Sequence, residues 1–182
     1  MINTKVKFTY RDYRTAPDDK RYELLEGELV MVPAPGFAHQ NISATLGVTL
    51  WRFVREHDLG VVLFAPFDVI LSEERVFQPD ILFVSKERLP IINPENIRGA
   101  APDLIVEILS PATAERDRFY KRAIYARYGV KEYWLVDPEA RTIEVTKLGE
   151  KDLETVGVYG EGESLKSPLL EGLSFDLTEV FP

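Results

Sequence analysis

Residues 101–134 read APDLIVEILSPATAERDRFYKRAIYARYGVKEYW, and this stretch places ionisable side chains where a protein core is normally apolar. From Asp103 to Leu109 the chain is short, aliphatic and β-branched, bounded by Pro102 and by Ser110-Pro111, which suits a strand buried on both faces. Glu107 interrupts that run. A carboxylate there must be paired, protonated or bound to a metal, because an isolated buried charge is very costly. Ser110 and Thr113 offer two N-caps for a helix, Glu115 and Asp117 suit its positive end, and Gly129 suits its termination. At 100° per residue Phe119, Tyr120, Ala123, Ile124 and Ala126 form the inward arc, with Arg118 and Arg122 toward solvent. Lys121 falls at the border of the apolar stripe near Asp117, from where it can reach back toward Glu107. Tyr133 to Val136 reads as the next strand, turning at Asp137-Pro138 into a further strand from Thr142 to Lys147.

Outward from this unit the chain reads as one domain over residues 1–182, with a core at about 20–148 and an acidic hairpin region at 149–182. The first twenty residues, among them Arg11, Arg14, Pro17, Asp18, Asp19 and Lys20, form an irregular lead-in. Tyr22 to Val32 is a hairpin turning at Glu26-Gly27. Ile42, Leu46, Thr49, Leu50 and Phe53 recur at helical spacing from Phe37 to Asp58. Strands follow at Val61–Phe64 and Phe67–Leu71, then one from Val76 to Val84 interrupted by Gln78-Pro79-Asp80. Ser85 to Ala101 is a long connection with a short helical turn. Trp51 and Trp134 belong in the core.

Composition narrows the chemistry. There are no cysteines and two histidines, which excludes thiolate catalysis, cysteine zinc sites and a three-histidine site and leaves oxygen or histidine donors for any metal. A net charge of −8 argues against unspecific nucleic-acid binding. Residues 112–134 nevertheless carry six basic and three acidic side chains, a local basic strip beside Glu107. No apolar stretch is long enough to span a bilayer and no signal-peptide pattern opens the chain, so a cytoplasmic protein is expected.

Asp80 stands at the entrance of Ile81-Leu-Phe-Val84, a strand able to pair beside 103–109. Two carboxylates on adjacent strands can share Mg²⁺ or Mn²⁺, and a nearby lysine can orient or deprotonate a water and offset phosphate charge. Each residue also has an ordinary reading: a turn for Asp80 after Pro79, an ion pair for Glu107, a snorkelling stem for Lys121, a packed or capping imidazole for His39. Asp137 before Pro138 reads as a turn residue, and Asp68 faces either the same cleft or solvent.

The series Tyr22-Glu-Leu-Leu-Glu-Gly-Glu-Leu, Pro33-Ala-Pro with His39-Gln40, Gln78-Pro79-Asp80-Ile-Leu-Phe-Val, Pro102-Asp-Leu-Ile-Val-Glu107-Ile-Leu-Ser110-Pro, Lys121 with Tyr125, and Glu132-Tyr-Trp-Leu-Val-Asp137-Pro138 closely resembles the bacterial Uma-type family of restriction-endonuclease-like proteins, within the PD-(D/E)XK nuclease superfamily. The resemblance covers about residues 10–180. It implies an α/β (mixed α+β) restriction-endonuclease-like fold, a central mixed β-sheet flanked by helices with N- and C-terminal hairpins. It also implies a Mg²⁺-dependent endonuclease in which Asp80 and Glu107 bind the metal and Lys121 assists the attacking water. Glu23 or Glu28 matches the acid contributed by the first element, with Gln78 and His39 as accessory groups, and Arg116, Arg118 and Arg122 contact phosphates. One departure is specific: the usual lysine site, two residues after the acid, is Leu109 here, so the lysine has moved to the following helix. The expected partner is nucleic acid, DNA first, and a homodimer is expected from the resemblance alone. The alternatives are a non-catalytic nuclease-fold module that binds nucleic acid or a protein, and a metal-free hydrolase using paired carboxylates.

Overall fold

Glu26 and Gly27 take φ of 52° and 82°, the turn geometry that folds strand β1 (Arg21–Leu25) tightly onto β2 (Glu28–Val32). The computed structural model describes residues 6–17 and 19–181; residues 1–5, Asp18 and Pro182 lie outside them, and with them part of the expected lead-in. The rest of that lead-in is less irregular than expected. A short helix α1 (Tyr10–Tyr13) forms there, and Asp12 accepts from the backbone and hydroxyl of Thr9. The expected long helix is α2 (Phe37–Glu56).

Eleven further strands follow in the described chain: β3 (Gly60–Phe64), β4 (Asp68–Ser72), β5 (Arg75–Phe77), β6 (Ile81–Ser85), β7 (Asn96–Arg98), β8 (Leu104–Ile108), β9 (Glu132–Asp137), β10 (Thr142–Leu148), β11 (Leu153–Gly160), β12 (Ser164–Lys166) and β13 (Ser174–Asp176). They build a six-stranded mixed sheet in the order β11-β10-β9-β8-β6-β3 and a five-stranded one in the order β2-β1-β5-β4-β7, with β12 and β13 as a small hairpin. The fold is mixed α+β, with two large mixed sheets and flanking helices. The run from Val76 to Val84 is not one interrupted strand. Pro79 has no N–H to continue a ladder, so β5 ends in the smaller sheet and β6 begins in the larger, with Gln78-Pro79-Asp80 as the crossing. The long connection from Ser85 also yields β7, which pairs in parallel with β4.

The two faces of the six-stranded sheet follow strand alternation. Leu104, Val106 and Ile108 of β8 face the α2 stripe of Ile42, Leu46, Leu50 and Val54, a core that Leu165, Leu170, Leu173, Leu177 and Phe181 of the C-terminal segment close. Ile105 and Leu109 face the other way, against Phe77 and Val69 of the smaller sheet and Tyr125. Trp134 is in the first of these cores, whereas Trp51 is 44% exposed, contrary to expectation. Its neighbour Leu50 holds the buried stripe, which leaves Trp51 about 100° off it. Among the described residues no helix is long and apolar enough to cross a membrane.

The helix after β8 departs from the expected wheel. Arg116–Lys121 is a π-helical turn, followed by α3 (Arg122–Arg127). The i→i+5 bonding of a π-turn adds a residue to each revolution, so directions computed at 100° per residue drift. Phe119 and Ala123, expected inward, are exposed, Phe119 by 70%. Asp117 and Lys121 are instead both buried. The wide turn is what aims two charged side chains into the interior at once.

Candidate active site

The parity that sends Ile105 toward the second core sends Glu107 there too. Strand β6 runs antiparallel to β8 with Ile81 opposite Val106, so one step further Asp80 comes opposite Glu107. Asp80 Oδ2 accepts from the backbone N–H of Ile108 at 2.8 Å and lies 3.2 Å from His39 Nε2 in the first turn of α2. The crossing residue thus becomes a fixed carboxylate at the sheet's entrance.

Lys121 sits at the centre. Its Nζ donates to Glu107 Oε1 and to Glu23 Oε1, each at 2.9 Å, and lies 3.3 Å from Asp117 Oδ1. Glu107 Oε1 also accepts from the Tyr125 hydroxyl at 2.7 Å, and Glu23 Oε1 from the backbone N–H of Gln78 at 3.0 Å. Glu23 Oε2 is buried without a hydrogen-bond partner; Arg116 Nη2 stands 3.6 Å from it. Tyr133 donates to the Asp117 carbonyl at 3.0 Å and so ties the π-turn to β9. Glu23, Asp80, Glu107, Asp117, Arg116 and Lys121 all line one cleft.

Four carboxylates, Glu23, Asp80, Glu107 and Asp117, face three cations, Arg21, Arg116 and Lys121, an excess of one negative charge when all are ionised. Burial is the largest influence on Glu107 and pushes its pKa up to about 8; Lys121 opposes this, while Asp117, Asp80 and Glu23 reinforce it. Burial disfavours the Lys121 ammonium, but Glu107, Glu23 and Asp117 around it raise its pKa well above the ordinary lysine value. Burial and the Glu107 charge likewise hold the Tyr125 hydroxyl in its protonated form. A carboxyl whose pKa is raised on folding stabilises the native state below its unfolded value and loses that contribution as pH rises through the folded value. The metal-free protein is therefore expected to lose stability between about pH 5 and pH 8, and Glu107→Gln to flatten that slope, measured as thermal midpoint against pH.

The cleft brings together Asp80, Glu107, Lys121, Glu23, Gln78, His39 and Arg116, all of them expected site residues. Glu28 is exposed at the start of β2 and does not line it, so of the two candidate acids on the hairpin Glu23 is the one at the site. Arg118 pairs with Asp137. Arg122 does not face open solvent: it donates to Glu144 at 2.9 Å and to the Leu153 carbonyl at 2.7 Å, clamping α3 to the outer strands. Asp137 is also the turn residue expected, its Oδ1 accepting from the backbone N–H groups of Glu139 and Ala140. Asp68 points to neither cleft nor open water; Tyr13 donates to it at 2.7 Å and Gln78 at 2.8 Å. Sequence reasoning missed Asp117, Tyr125 and Arg21 as members or neighbours of the site. The signals were the four-residue spacings of Asp117 and of Tyr125 from Lys121 and the place of Tyr125 beside Lys121 in the motif series; nothing marked Arg21.

Among the described residues no three carboxylate or imidazole groups converge into a ready metal cage, because the Lys121 ammonium occupies the space between Glu23 and Glu107. The donor set still fits a hard divalent cation. Its donors are oxygens, the acids of the cleft outnumber its cations by one, and Mg²⁺ commonly takes one or two protein carboxylates and keeps its waters. Asp80 and Glu107 are the pair that would hold it.

A family profile described as "Putative restriction endonuclease", Uma2, matches residues 9–178. No curated protein matches the chain. Among solved structures, a "putative nuclease belonging to DUF820" from Anabaena variabilis superposes with a TM-score of 0.79 at 21% identity, covering 96% of this chain and 97% of that one. At that identity the likeness is one of fold, and it extends to both large sheets. With its profile match running through Glu23, Asp80, Glu107 and Lys121, the chain belongs to the Uma2 family of restriction-endonuclease-like proteins.

Proposed function

We propose that the protein is a divalent-metal-dependent nuclease that hydrolyses phosphodiester bonds, with Asp80 and Glu107 as metal ligands and DNA as the first substrate to test. The observation that carries this reading is the ammonium of Lys121 held 2.9 Å from Glu107 beside Asp80, in a cleft open to a ligand. It supports the move of the lysine to the following helix that the resemblance implies.

A divalent cation supplies Lewis acidity toward a phosphate oxygen and a nucleophile usable near neutral pH. The chain supplies the rest. His39 and the Ile108 N–H fix Asp80; Tyr125 and Lys121 fix Glu107. Lys121 stays an ammonium in this setting, so it acts as a donor that orients water and offsets charge developing on the phosphate, and the role of proton acceptor falls away from it. Its longest contact, to Asp117, is the one it can redirect toward substrate. Arg116 has only contacts of 3.6 and 3.8 Å to Glu23 and Asp117, and its Nε lacks a hydrogen-bond partner. It is the arginine of the basic strip best placed to meet a phosphate.

The test is cleavage of oligonucleotides by the wild type with Mg²⁺ or Mn²⁺, with chelator, and by Asp80→Asn. Metal-dependent cleavage lost in the variant is the expected result. Cleavage that survives chelation would point instead to the metal-free carboxylate chemistry. Binding without cleavage, unchanged in Asp80→Asn, would make the lysine–carboxylate network a structural relic in a binding module.

A further inference from the structure

The cleft is a slot of about 330 Å³, at the small end of ligand pockets, which run from about 300 to 1,000 Å³. Its floor is the ionic cluster. Two of its walls are apolar and stiff, Pro33, Ala34 and Pro35 from the loop before α2 and Pro111 and Ala112 from the loop after β8, with Ser110 and Thr113 beside the second. Phe37, the residue after the loop, is 78% exposed. Flat proline and alanine surfaces beside a charged floor suit a base face above its phosphate, and Phe37 stands just outside the lining, where a neighbouring base can stack as bases do in single-strand binders.

Beside the site, few of the cations that a duplex would need are left unpaired among the described residues. Duplex DNA presents one phosphate charge about every 1.7 Å of axis, and affinity for it comes from unpaired lysines and arginines along the track. Four of the six cations in the basic strip beside Glu107 are paired within the chain, Arg118 with Asp137, Lys121 with Glu23 and Glu107, Arg122 with Glu144 and Lys131 with Asp103, while Arg127 is exposed. Besides Lys121, the cations at the slot itself are Arg116 and Arg21, the latter bound through Nε to Gln78 at 3.0 Å. The whole chain carries a net charge of −8.

From the slot and the largely paired strip together we infer that the unit this site accepts is one unstacked nucleotide, so that single-stranded or frayed nucleic acid is the substrate and the interior of a duplex is not. The inference rests on the nuclease reading. It explains how an acidic protein meets a polyanion: two arginines at one slot replace a long basic surface, and the walls contribute the remainder through stacking.

The experiment compares one sequence as single-stranded DNA, as single-stranded RNA and as a closed hairpin duplex, each with the full-length wild type and Mn²⁺. At least one single strand is expected to be cleaved roughly tenfold or more faster than the duplex stem. The salt dependence should be shallow, a slope of about −1.4 for two phosphate contacts on a single strand. Ala112→Trp, which fills the slot from an exposed loop position, should abolish single-strand cleavage while leaving Mn²⁺ binding intact. Cleavage of the duplex interior as fast as of both single strands, with Ala112→Trp active, would overturn the inference and leave the nuclease reading standing. Cleavage of none of the three would overturn the nuclease reading itself.

Discussion

Lys121→Met is expected to lower the thermal midpoint of the metal-free protein by roughly 10 °C, the largest stability change for a single substitution at the site. Methionine fills similar volume, so the loss is electrostatic. The ammonium is 2% exposed, and its removal leaves Glu23, Glu107 and Asp117 buried together without it. Breaking a buried ion pair by deleting one partner costs about 3–5 kcal/mol, and each kcal/mol moves the midpoint of a domain this size by about 2–4 °C. The account makes a second demand on the same variant. A bound divalent cation would replace the missing positive charge, so saturating Mn²⁺ should recover part of the lost midpoint in Lys121→Met. A midpoint within 2 °C or so of wild type, measured by calorimetry or circular dichroism without metal, would show that the cluster does not depend on Lys121.

Glu107→Gln is expected to reduce cleavage by about a thousandfold or more while the protein stays folded. The amide keeps the shape and can still accept the hydrogen bond that Tyr125 donates to Oε1, but it no longer offers an anionic oxygen to a cation. Metal ions supply several kcal/mol of charge stabilisation, and each 1.36 kcal/mol is a factor of ten in rate. Because Glu107 is buried under a raised pKa, its neutral replacement should hold or raise the stability of the metal-free protein at pH 8. Lost activity with retained stability is therefore the signature sought. Lost activity with a collapsed midpoint would mean that Glu107 is a structural partner of Lys121 first.

Most of the architecture was legible because it rests on local rules. The Glu26-Gly27 turn, the α2 stripe and the aliphatic run of β8 each declare themselves within a few residues. What escaped depends on distant or unusual geometry. The split at Pro79 looks like a blemish in one strand until the second sheet exists to receive β5. The π-turn has no sequence mark, yet it alone sends Phe119 outward and Asp117 inward. The choice of Glu23 over Glu28 turns on a contact with Lys121 that spans 98 positions of sequence, beyond the reach of any spacing rule. Arg122 read as a surface cation because its acceptors, Glu144 and the Leu153 carbonyl, come from strands not yet traced when the helix is drawn. Glu107 and Lys121, by contrast, stood out because charge inside an apolar pattern must be answered by other charge, and the fold brings that answer to them.

The central claim is that Asp80 and Glu107 hold a divalent cation, and titration calorimetry of Mn²⁺ into wild type, Asp80→Asn and Glu107→Gln tests it most directly. The account predicts binding near one ion per chain in the wild type, accompanied by proton release at neutral pH as Glu107 gives up its proton, and no measurable binding in either variant. Equal binding in all three proteins, or no binding by the wild type even with an oligonucleotide present to complete the site, would contradict it.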